Sequence, residues 1–298
     1  MRRRNFIAGL GSATFTLPLT ARAQKAERPR RVGVIMNLAA DDPEGKIRSD
    51  ALHNALQKMG WVDGGNLLLD YRWGAGDAGL FRKYAEELVA LAPEVILATG
   101  TPVVEALQHV TRTVPIVFVT VVDPVHAGFV KSLARPGGNI TGFNLFEFSM
   151  CGKWVEFLKE VTPDVTRAAV LRDPTIASGT GQLAAIQAVA PSFRVELNPM
   201  DVHDAGEIER SVAVFAQAAN GGVIVTASTL ALVHRKLFIA LAERHRLAAI
   251  YGDRTFAVAG GLITYGPNRV DPYRRAASYL QKRLTSPFHR RCSPALTK

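Results

Sequence analysis

Short apolar runs bounded by turn residues alternate along this chain with segments whose apolar residues have helical spacing. Runs such as RVGVIMN and GGVIVTA are rich in Val and Ile and carry almost no charge. Runs of this kind are typical of parallel strands that helices cover on both faces. Two series of five strands are predicted, at 31–37, 66–73, 94–100, 115–121 and 139–144, and at 167–173, 193–199, 221–227, 247–253 and 260–266.

Helical patterns fill the intervals between the predicted strands. One helix is predicted over 49–59, beginning at Ser49, and a longer one over 229–246 ends in ERHR, where positive charge suits the helix dipole. Strands that alternate with helices predict the α/β class. The two series predict two doubly wound parallel-sheet lobes joined by a hinge.

The order of these elements also predicts the domain boundaries. The first lobe is expected to contain residues 31–143 together with 268–284, a segment that returns to it through a final helix beginning at Asp271. The second lobe is expected to contain residues 144–267. Residues 285–298 show no periodicity and are predicted to be an irregular tail.

Four junctions between a predicted strand and the next helix carry small or polar residues. In VILATGTPVVEAL, Thr101 is predicted as the N-cap and Pro102 as the first helical residue, which leaves the next backbone N–H groups pointing out at the strand end. Asp123 and Asp173, each followed by proline, repeat this step. The carboxyl ends of parallel strands face one crevice, where ligands bind. The predicted ligand-binding residues are Asn37, Thr99, Gly100, Thr101, Asp123, Asn144, Asp173, Thr226, Ser228 and Asp253.

The expected ligand contacts follow from charge. Helix N-termini at Thr101 and near Asp123 are suited to a carboxylate, and Asp173 or Asp253 to an ammonium group. Asp123 and Asp173 are equally compatible with simple helix capping. Tyr251 and Tyr265 are expected either to pack against an apolar ligand or to belong to the core.

Charge is concentrated at the two ends of the chain. The formal net charge is +10, but four arginines lie in residues 1–23 and three basic residues lie in 285–298, so residues 24–284 carry only +3. No basic stripe is interleaved with aromatic residues, so a nucleic-acid partner is not expected. Hydrophobic residues form 48% of the chain and charged residues 21%, which is typical of a globular protein.

Residues 1–23 have the features of an export signal peptide. Arg3-Arg4-Asn5-Phe6-Ile7 resembles the twin-arginine export motif, and Ala21 and Ala23 form a cleavage pattern before Gln24. An uncleaved anchor is the alternative, but glycines interrupt an apolar stretch shorter than the about 20 residues that a spanning helix needs. The sequence therefore predicts a periplasmic protein.

Motifs for catalysis or cofactors are sparse. Cys151 and Cys292 are the two cysteines, and neither has the spacing of a zinc site. GAGDAG at 74–79 matches a dinucleotide-binding pattern, but Asp77 would oppose a pyrophosphate. Neither a nucleophile motif nor a metalloprotease motif is present. We expect no cofactor and no catalysis.

Several segments together resemble the ABC-transporter substrate-binding protein family that includes tryptophan- and tyrosine-binding members. These segments include RRVGVIMNLAADDPEG, GWVDGGNLLLDYRWGAGD, LARPGGNITGF, GKWVEFLKEVTP and HRLAAIYGDRTFAVAGGLITYGP, and the likeness extends from about residue 30 to 284. Gly252 and Asp253 depart from the family pattern, because members of the family tend to have aromatic residues at these positions.

The resemblance implies a type I periplasmic binding protein, in which a solute held between two lobes is delivered to an ABC permease in the inner membrane. We expect a monomer that closes on a small polar or amino-acid-like solute. A ligand sensor for a membrane receptor and an exported α/β enzyme are the alternatives. The enzyme would need a nucleophile–base pair or a metal in the cleft.

Overall fold

Two five-stranded parallel sheets form the centres of two lobes in the computed structural model, which describes residues 28–286. The first sheet has the order β2-β1-β3-β4-β5, and the second has the order β10-β9-β8-β6-β7. Both lobes therefore have the same doubly wound topology. The strands are β1 (Arg30–Met36), β2 (Leu67–Trp73), β3 (Val95–Thr99), β4 (Ile116–Val121), β5 (Ile140–Asn144), β6 (Arg167–Arg172), β7 (Glu196–Asp201), β8 (Gly221–Val225), β9 (Ala248–Tyr251) and β10 (Ile263–Thr264).

The two-lobe α/β fold predicted from the apolar runs is confirmed. Each predicted strand overlaps an observed one, and the largest displacements are at β7 and β10, each of which begins three residues later than predicted. The predicted export signal, residues 1–23, lies outside the described residues, as does most of the predicted tail. Within residues 28–286, no helix has the length and apolar character needed to cross a membrane.

Helices cover both faces of each sheet. In the first lobe, α1 and α10 cover one face, and α2 and α3 cover the other. In the second lobe, α4 and α5 lie opposite α6 to α9. The helices are α1 (Pro43–Lys58), α2 (Ala78–Ala90), α3 (Thr101–Val110), α4 (Gly152–Val161), α5 (Ala177–Val189), α6 (Ala205–Phe215), α7 (Thr229–Val233), α8 (Arg235–Arg244), α9 (Arg254–Val258) and α10 (Asp271–Thr285).

Two predicted helix boundaries are wrong. The first helix begins at Pro43 rather than at Ser49, because the Asp42 side chain accepts a hydrogen bond from the Glu44 backbone N–H at 2.9 Å and Pro43 fits the first helical position. The helix predicted over 229–246 is divided into α7 and α8 at His234, whose backbone leaves the helical region. The local sequence favours helix on both sides of that break.

The described chain crosses between the two sheets twice, at 145–147 and at 265–270. Trp154, on α4, is fully buried between these crossings. Its indole Nε1 donates to the Tyr265 carbonyl oxygen at 2.8 Å, and its ring meets Phe146 edge-on with centroids 6.0 Å apart. After the second crossing, α10 packs Tyr273 and Leu280 against the first sheet. One side chain of the second lobe thus fixes both connections.

Candidate ligand-binding site

A small cavity lies where the carboxyl ends of the two sheets face each other. Its volume is about 10 Å³, which is roughly the space that one water molecule needs. A larger solute must therefore enter while the lobes are further apart. The lining residues are Asn37, Gly100, Thr101, Pro102, Thr120 and Val122 from the first lobe, Ile176, Ser178, Ala227, Ser228 and Thr229 from the second, and Arg269 from the second crossing.

The N-terminus of α3 forms one wall of the cavity. Gly100, rather than the predicted Thr101, is the N-cap, with a φ of 82° that favours glycine. A Cβ at this position would lie 3.3 Å from Asn37 Nδ2 and 3.4 Å from Thr229 Oγ1, so glycine also allows the lobes to approach. Thr101 is the first helical residue and lies in the cavity wall.

The end of β4 forms a second wall and contains two unusual backbone conformations. Thr120 has a φ of 56° and Asp123 a φ of 40°. A β-branched residue with positive φ is a genuine outlier, and strain of this kind, about 1–3 kcal/mol per residue, clusters at functional sites. The conformation directs Thr120 to the cavity. Sequence reasoning missed this residue because nothing in TVVDP, residues 120–124, marks a strained threonine.

Apart from Arg269 Nε, which is in an ion pair with Asp253, four buried polar atoms of the lining have no hydrogen-bond partner among the described residues. They are Asn37 Oδ1, Thr120 Oγ1, Ser178 Oγ and Arg269 Nη2. Each belongs to a side chain exposed by 7% or less. Buried polar groups are almost always paired, so a cluster of unpaired ones around one cavity indicates groups available to a ligand. Both lobes and the second crossing contribute to this cluster.

Direct contacts join the two lobes around the cavity. Asn37 Nδ2 donates to Thr229 Oγ1 at 2.9 Å across the cleft. At the rim, Arg235 donates to both carboxylate oxygens of Asp42, at 2.8 and 3.1 Å, and the two side chains are only 14% and 12% exposed. A bidentate pair with little solvent exposure is among the stronger ion pairs. The structure thus has the cleft closed.

Two predicted site residues bond to their own lobe and are absent from the cavity wall. The hydroxyl of Thr99 accepts from Tyr273 Oη at 3.2 Å, and the hydroxyl of Thr226 donates to the Leu171 carbonyl oxygen at 3.0 Å. Asn144 ends β5 opposite Val121 and does not line the cavity. By contrast, Asn37, Gly100, Thr101 and Ser228 of the predicted set come together in the cavity.

The helices predicted at Asp123 and Asp173 do not begin there. Residues 124–128 form turns, and the Asp123 carboxylate accepts from the His126 backbone N–H at 3.1 Å. Asp173 accepts from the backbone and hydroxyl of Thr175, and α5 starts only after Ile176. Aspartate followed by proline is equally typical of a type I turn, and here the turn is preferred. The expected carboxylate site on a helix near Asp123 therefore has no helix to form it.

Asp253 is engaged in an ion pair. Its Oδ1 accepts from the Thr255 backbone N–H at 2.8 Å and caps α9, while its Oδ2 pairs with Arg269 Nε. This carboxylate is thus not free for the ammonium group that the sequence suggested. Tyr251 stacks on Phe256 with centroids 4.4 Å apart, which gives it a core role. Tyr265 packs on Phe157 outside the cavity wall.

A cluster of buried charges surrounds this ion pair. Arg48, on α1, is fully buried, and its Nε donates to Glu44 at 2.8 Å. Burial alone would lower the pKa of Arg48, but attraction to Tyr273, Asp253 and Glu44 raises it. The pKa of Arg269 is lowered by burial and by Arg48, against the attraction of Asp253. Arginine stays protonated under all these influences, so both guanidinium groups are cations.

Glu105 adds a like-charge interaction. It lies on α3, one turn beyond Thr101, and is half-buried. Burial and the charge of Asp173, on the second lobe, raise its pKa from 4.5 to about 7. The folded protein therefore holds the Glu105 proton more tightly than the unfolded chain does. This contribution to stability is fully present below pH 4.5 and is lost as the pH rises to about 7.

Replacing Glu105 by glutamine is expected to flatten the pH dependence of stability between pH 4.5 and 7. The amide cannot ionise, so the loss of stability on raising the pH becomes smaller, and the variant exceeds the wild type in Tm at pH 8. Thermal unfolding over this pH range measures the effect. Glu86→Gln, at an exposed position of α2, is the matched control. Identical slopes for wild type and Glu105→Gln would contradict the interpretation.

Residues 32–286 match the family model described as ABC transporter substrate binding protein. The chain belongs to this family. Its members are solute-binding proteins that work with an ABC transporter and are not enzymes. The chain is 27% identical over 190 residues to the tyrosine-binding protein of Clostridioides difficile. That match covers 64% of this chain and 54% of the relative, so it spans about half of the relative's length.

Solved structures of low sequence identity share the fold of this substrate-binding protein. The ABC domain from Streptococcus pneumonia in complex with L-Trp superposes with a TM-score of 0.77 at 19% identity, covering 86% of this chain and 85% of that one. A conserved domain protein from Vibrio cholerae superposes with a TM-score of 0.78 at 23% identity over the same shares. The two-lobe α/β architecture is thus shared with both of these structures.

Proposed function

We propose that this protein is the periplasmic solute-binding component of an ABC importer and that it binds a small polar or amino-acid-like solute between its lobes. The observation that carries the proposal is the cluster of four unpaired buried polar atoms around the inter-lobe cavity. Leaving a buried polar atom without a partner costs about 1–3 kcal/mol. A solute that supplies the partners offsets this cost, and that is a reason for the chain to retain them.

Movement of the lobes about the two crossings is part of the proposal. The cavity has room for about one water molecule, so an amino acid enters only while the lobes are separated. The crossings at 145–147 and 265–270 lie near the predicted lobe boundaries at 143 and 268. The contacts Asn37–Thr229 and Asp42–Arg235, which hold the lobes together over this small cavity, would break on opening.

The solute class is supported by the relatives and by the chemistry of the lining. One relative is named a tyrosine-binding protein, and one structure of the same fold is in complex with L-Trp. The unpaired atoms include an acceptor, a cationic donor and two hydroxyl groups, which suits a solute with several polar atoms. Delivery to an inner-membrane permease, action as a monomer and export through residues 1–23 complete the proposal.

Thermal unfolding of the protein against the twenty amino acids and small carboxylates tests this function. A solute at 100 times its dissociation constant stabilises the native state by about 2.7 kcal/mol, which shifts Tm visibly. We expect a selective shift for one or a few amino acids or related acids, which calorimetric titration then quantifies. A cooperative transition that no member of the panel moves would contradict the proposed solute class.

Substitution of Ser178 distinguishes an effect on solute affinity from an effect on stability. Ser178→Ala removes a buried hydroxyl that has no partner among residues 28–286, so stability should stay unchanged or rise slightly. Solute affinity should fall, because the solute loses a hydrogen-bonding group. Ser278→Ala, at a partly exposed position of α10 away from the cavity, should leave solute affinity unchanged. Unchanged affinity in Ser178→Ala would place the solute elsewhere.

A further inference from the structure

We propose that Arg269 is the cation that receives a carboxylate of the solute, so that the solutes of this protein are carboxylic acids whether or not they carry an amino group. This inference rests on the proposed function and deepens it. Arg269 was absent from the residues predicted from sequence. It lies in GPNRVDP, a segment without periodicity, and only the fold brings it to the cavity.

The geometry of Arg269 leaves part of its guanidinium group available. The side chain is 7% exposed, its Nε pairs with Asp253 Oδ2, and its Nη2 is buried without a partner among the described residues. Guanidinium donors form a rigid planar fork that matches a carboxylate. The pair with Asp253 fixes the plane of this fork, while Arg269 borders the cavity and Asp253 does not. The group is thus held in place before the solute arrives.

The rest of the lining favours an anion over a cation. None of the lining residues is an aspartate or a glutamate, so no carboxylate is placed to receive an ammonium group there. The hydroxyl groups of Thr120 and Ser178 can donate to an anion. The N-terminus of the ten-residue helix α3 adds a partial positive charge to the same wall. Asn37 Oδ1 is the unpaired atom that can only accept.

A second buried cation increases the positive potential around Arg269. Arg48 lies close enough to raise the electrostatic potential at Arg269 and attracts Asp253 as well. Asp253 is paired with Arg269, and Glu44 is paired with Arg48. A solute carboxylate would complete the set of anions around these two arginines.

Nuclear magnetic resonance of the arginine Nε–H groups tests the proposal without a known solute. The full chain is labelled with ¹⁵N and titrated with sodium formate at constant ionic strength, and Arg269→Lys identifies the Arg269 signal. We expect this signal to shift saturably with formate and not with formamide, its neutral analogue. Arg274→Lys, the same substitution at an exposed position, should leave the response of the Arg269 signal intact. No saturable shift, or an equal shift with formamide, would overturn the proposal.

A second experiment uses the amino acid that the thermal panel selects. Its affinity is compared with that of its carboxamide in the wild type and in the double variant Asp253→Asn/Arg269→Gln. The double variant removes both members of the Asp253–Arg269 pair, Arg48 keeps its pair with Glu44, and asparagine can still cap α9. We expect the acid to bind about tenfold to hundredfold more weakly to the variant while the amide changes little. Equal losses for acid and amide, or no loss, would overturn the assignment.

The two proposals fail in different ways. If no panel solute shifts Tm but formate shifts the Arg269 signal, the proposed amino-acid class is wrong and the carboxylate site stands. If an amino acid shifts Tm but formate leaves the Arg269 signal unmoved, the binding function stands and Arg269 is not its anion site.

Discussion

Replacing Trp154 by alanine is expected to lower the free energy of unfolding by about 3–5 kcal/mol. The indole is fully buried and is among the largest side chains of the second lobe's core. It packs against Gly252 so closely that a Cβ there would lie 2.7 Å from its ring. Removing it leaves a large cavity and also the Tyr265 carbonyl without its donor. Both crossings then lose the side chain that fixes them.

Urea denaturation measures this loss for Trp154→Ala and two companions. Trp154→Phe keeps much of the volume but not the hydrogen bond, so it should lose less than the alanine variant. Val258→Ala, at a position 85% exposed, should stay within about 0.5 kcal/mol of the wild type. A Trp154→Ala variant as stable as Val258→Ala would show that the crossings do not depend on the indole.

Replacing Asp253 by alanine is expected to cost about 3–5 kcal/mol of folding stability, because it leaves the buried guanidinium group of Arg269 without its ion-pair partner. Asp253 is 3% exposed, pairs with Arg269 and attracts Arg48. The substitution also removes the cap of α9, which is typically worth about 1 kcal/mol.

The double variant Asp253→Asn/Arg269→Gln distinguishes a charge effect from a packing effect. It removes both members of the ion pair together, so it should recover most of the stability that Asp253→Ala loses. Urea denaturation at neutral pH compares the three proteins. A double variant as unstable as Asp253→Ala would show that packing, rather than an unpaired charge, causes the loss.

These two side chains connect stability with the proposed movement. Trp154 fixes the crossings through packing and one hydrogen bond, while Asp253 fixes the second crossing through Arg269. The same crossing contributes Arg269 to the cavity. A substitution that loosens the second crossing is therefore expected to lower solute affinity as well as folding stability. We infer that solute affinity and hinge stability are coupled in this protein through residues 265–270.

The fold could be predicted from the sequence because buried parallel strands are continuous apolar runs and their covering helices have a clear helical spacing of apolar residues. Runs such as VILAT and GGVIV are buried on both sides, and turns bound each of them. The predictions failed where two local structures compete. Aspartate followed by proline caps a helix at Asp42 but forms a turn at Asp123, and the choice depends on what packs next to it.

The candidate site could be predicted only in part. Asn37, Gly100, Thr101 and Ser228 were found because strand ends in a parallel sheet share one edge. Thr120 was missed because its positive φ is set by tertiary structure, and Arg269 because its segment has no pattern. The sequence suggested Asp253 as a partner for an ammonium group. Its ion pair with Arg269 could not be foreseen, because only the fold brings these two separate elements together.

The most direct test of the central claim, that the solute is held between the lobes, is a reversible cross-link across the cleft. A Cβ at Gly76 would lie 3.9 Å from Cβ of Val233 on the other lobe, within the range of a disulfide. The variant Gly76→Cys/Val233→Cys, made in a Cys292→Ser background, is compared in its oxidised and reduced forms. Gly76→Cys alone controls for the strain at its φ of 84°.

Calorimetric titration with the solute from the thermal panel then gives the answer. The account predicts that the reduced variant binds the solute and that the oxidised variant, with its lobes tied together over a cavity of about 10 Å³, does not. Binding to the oxidised variant with the affinity and rate of the reduced one would contradict a site between the lobes.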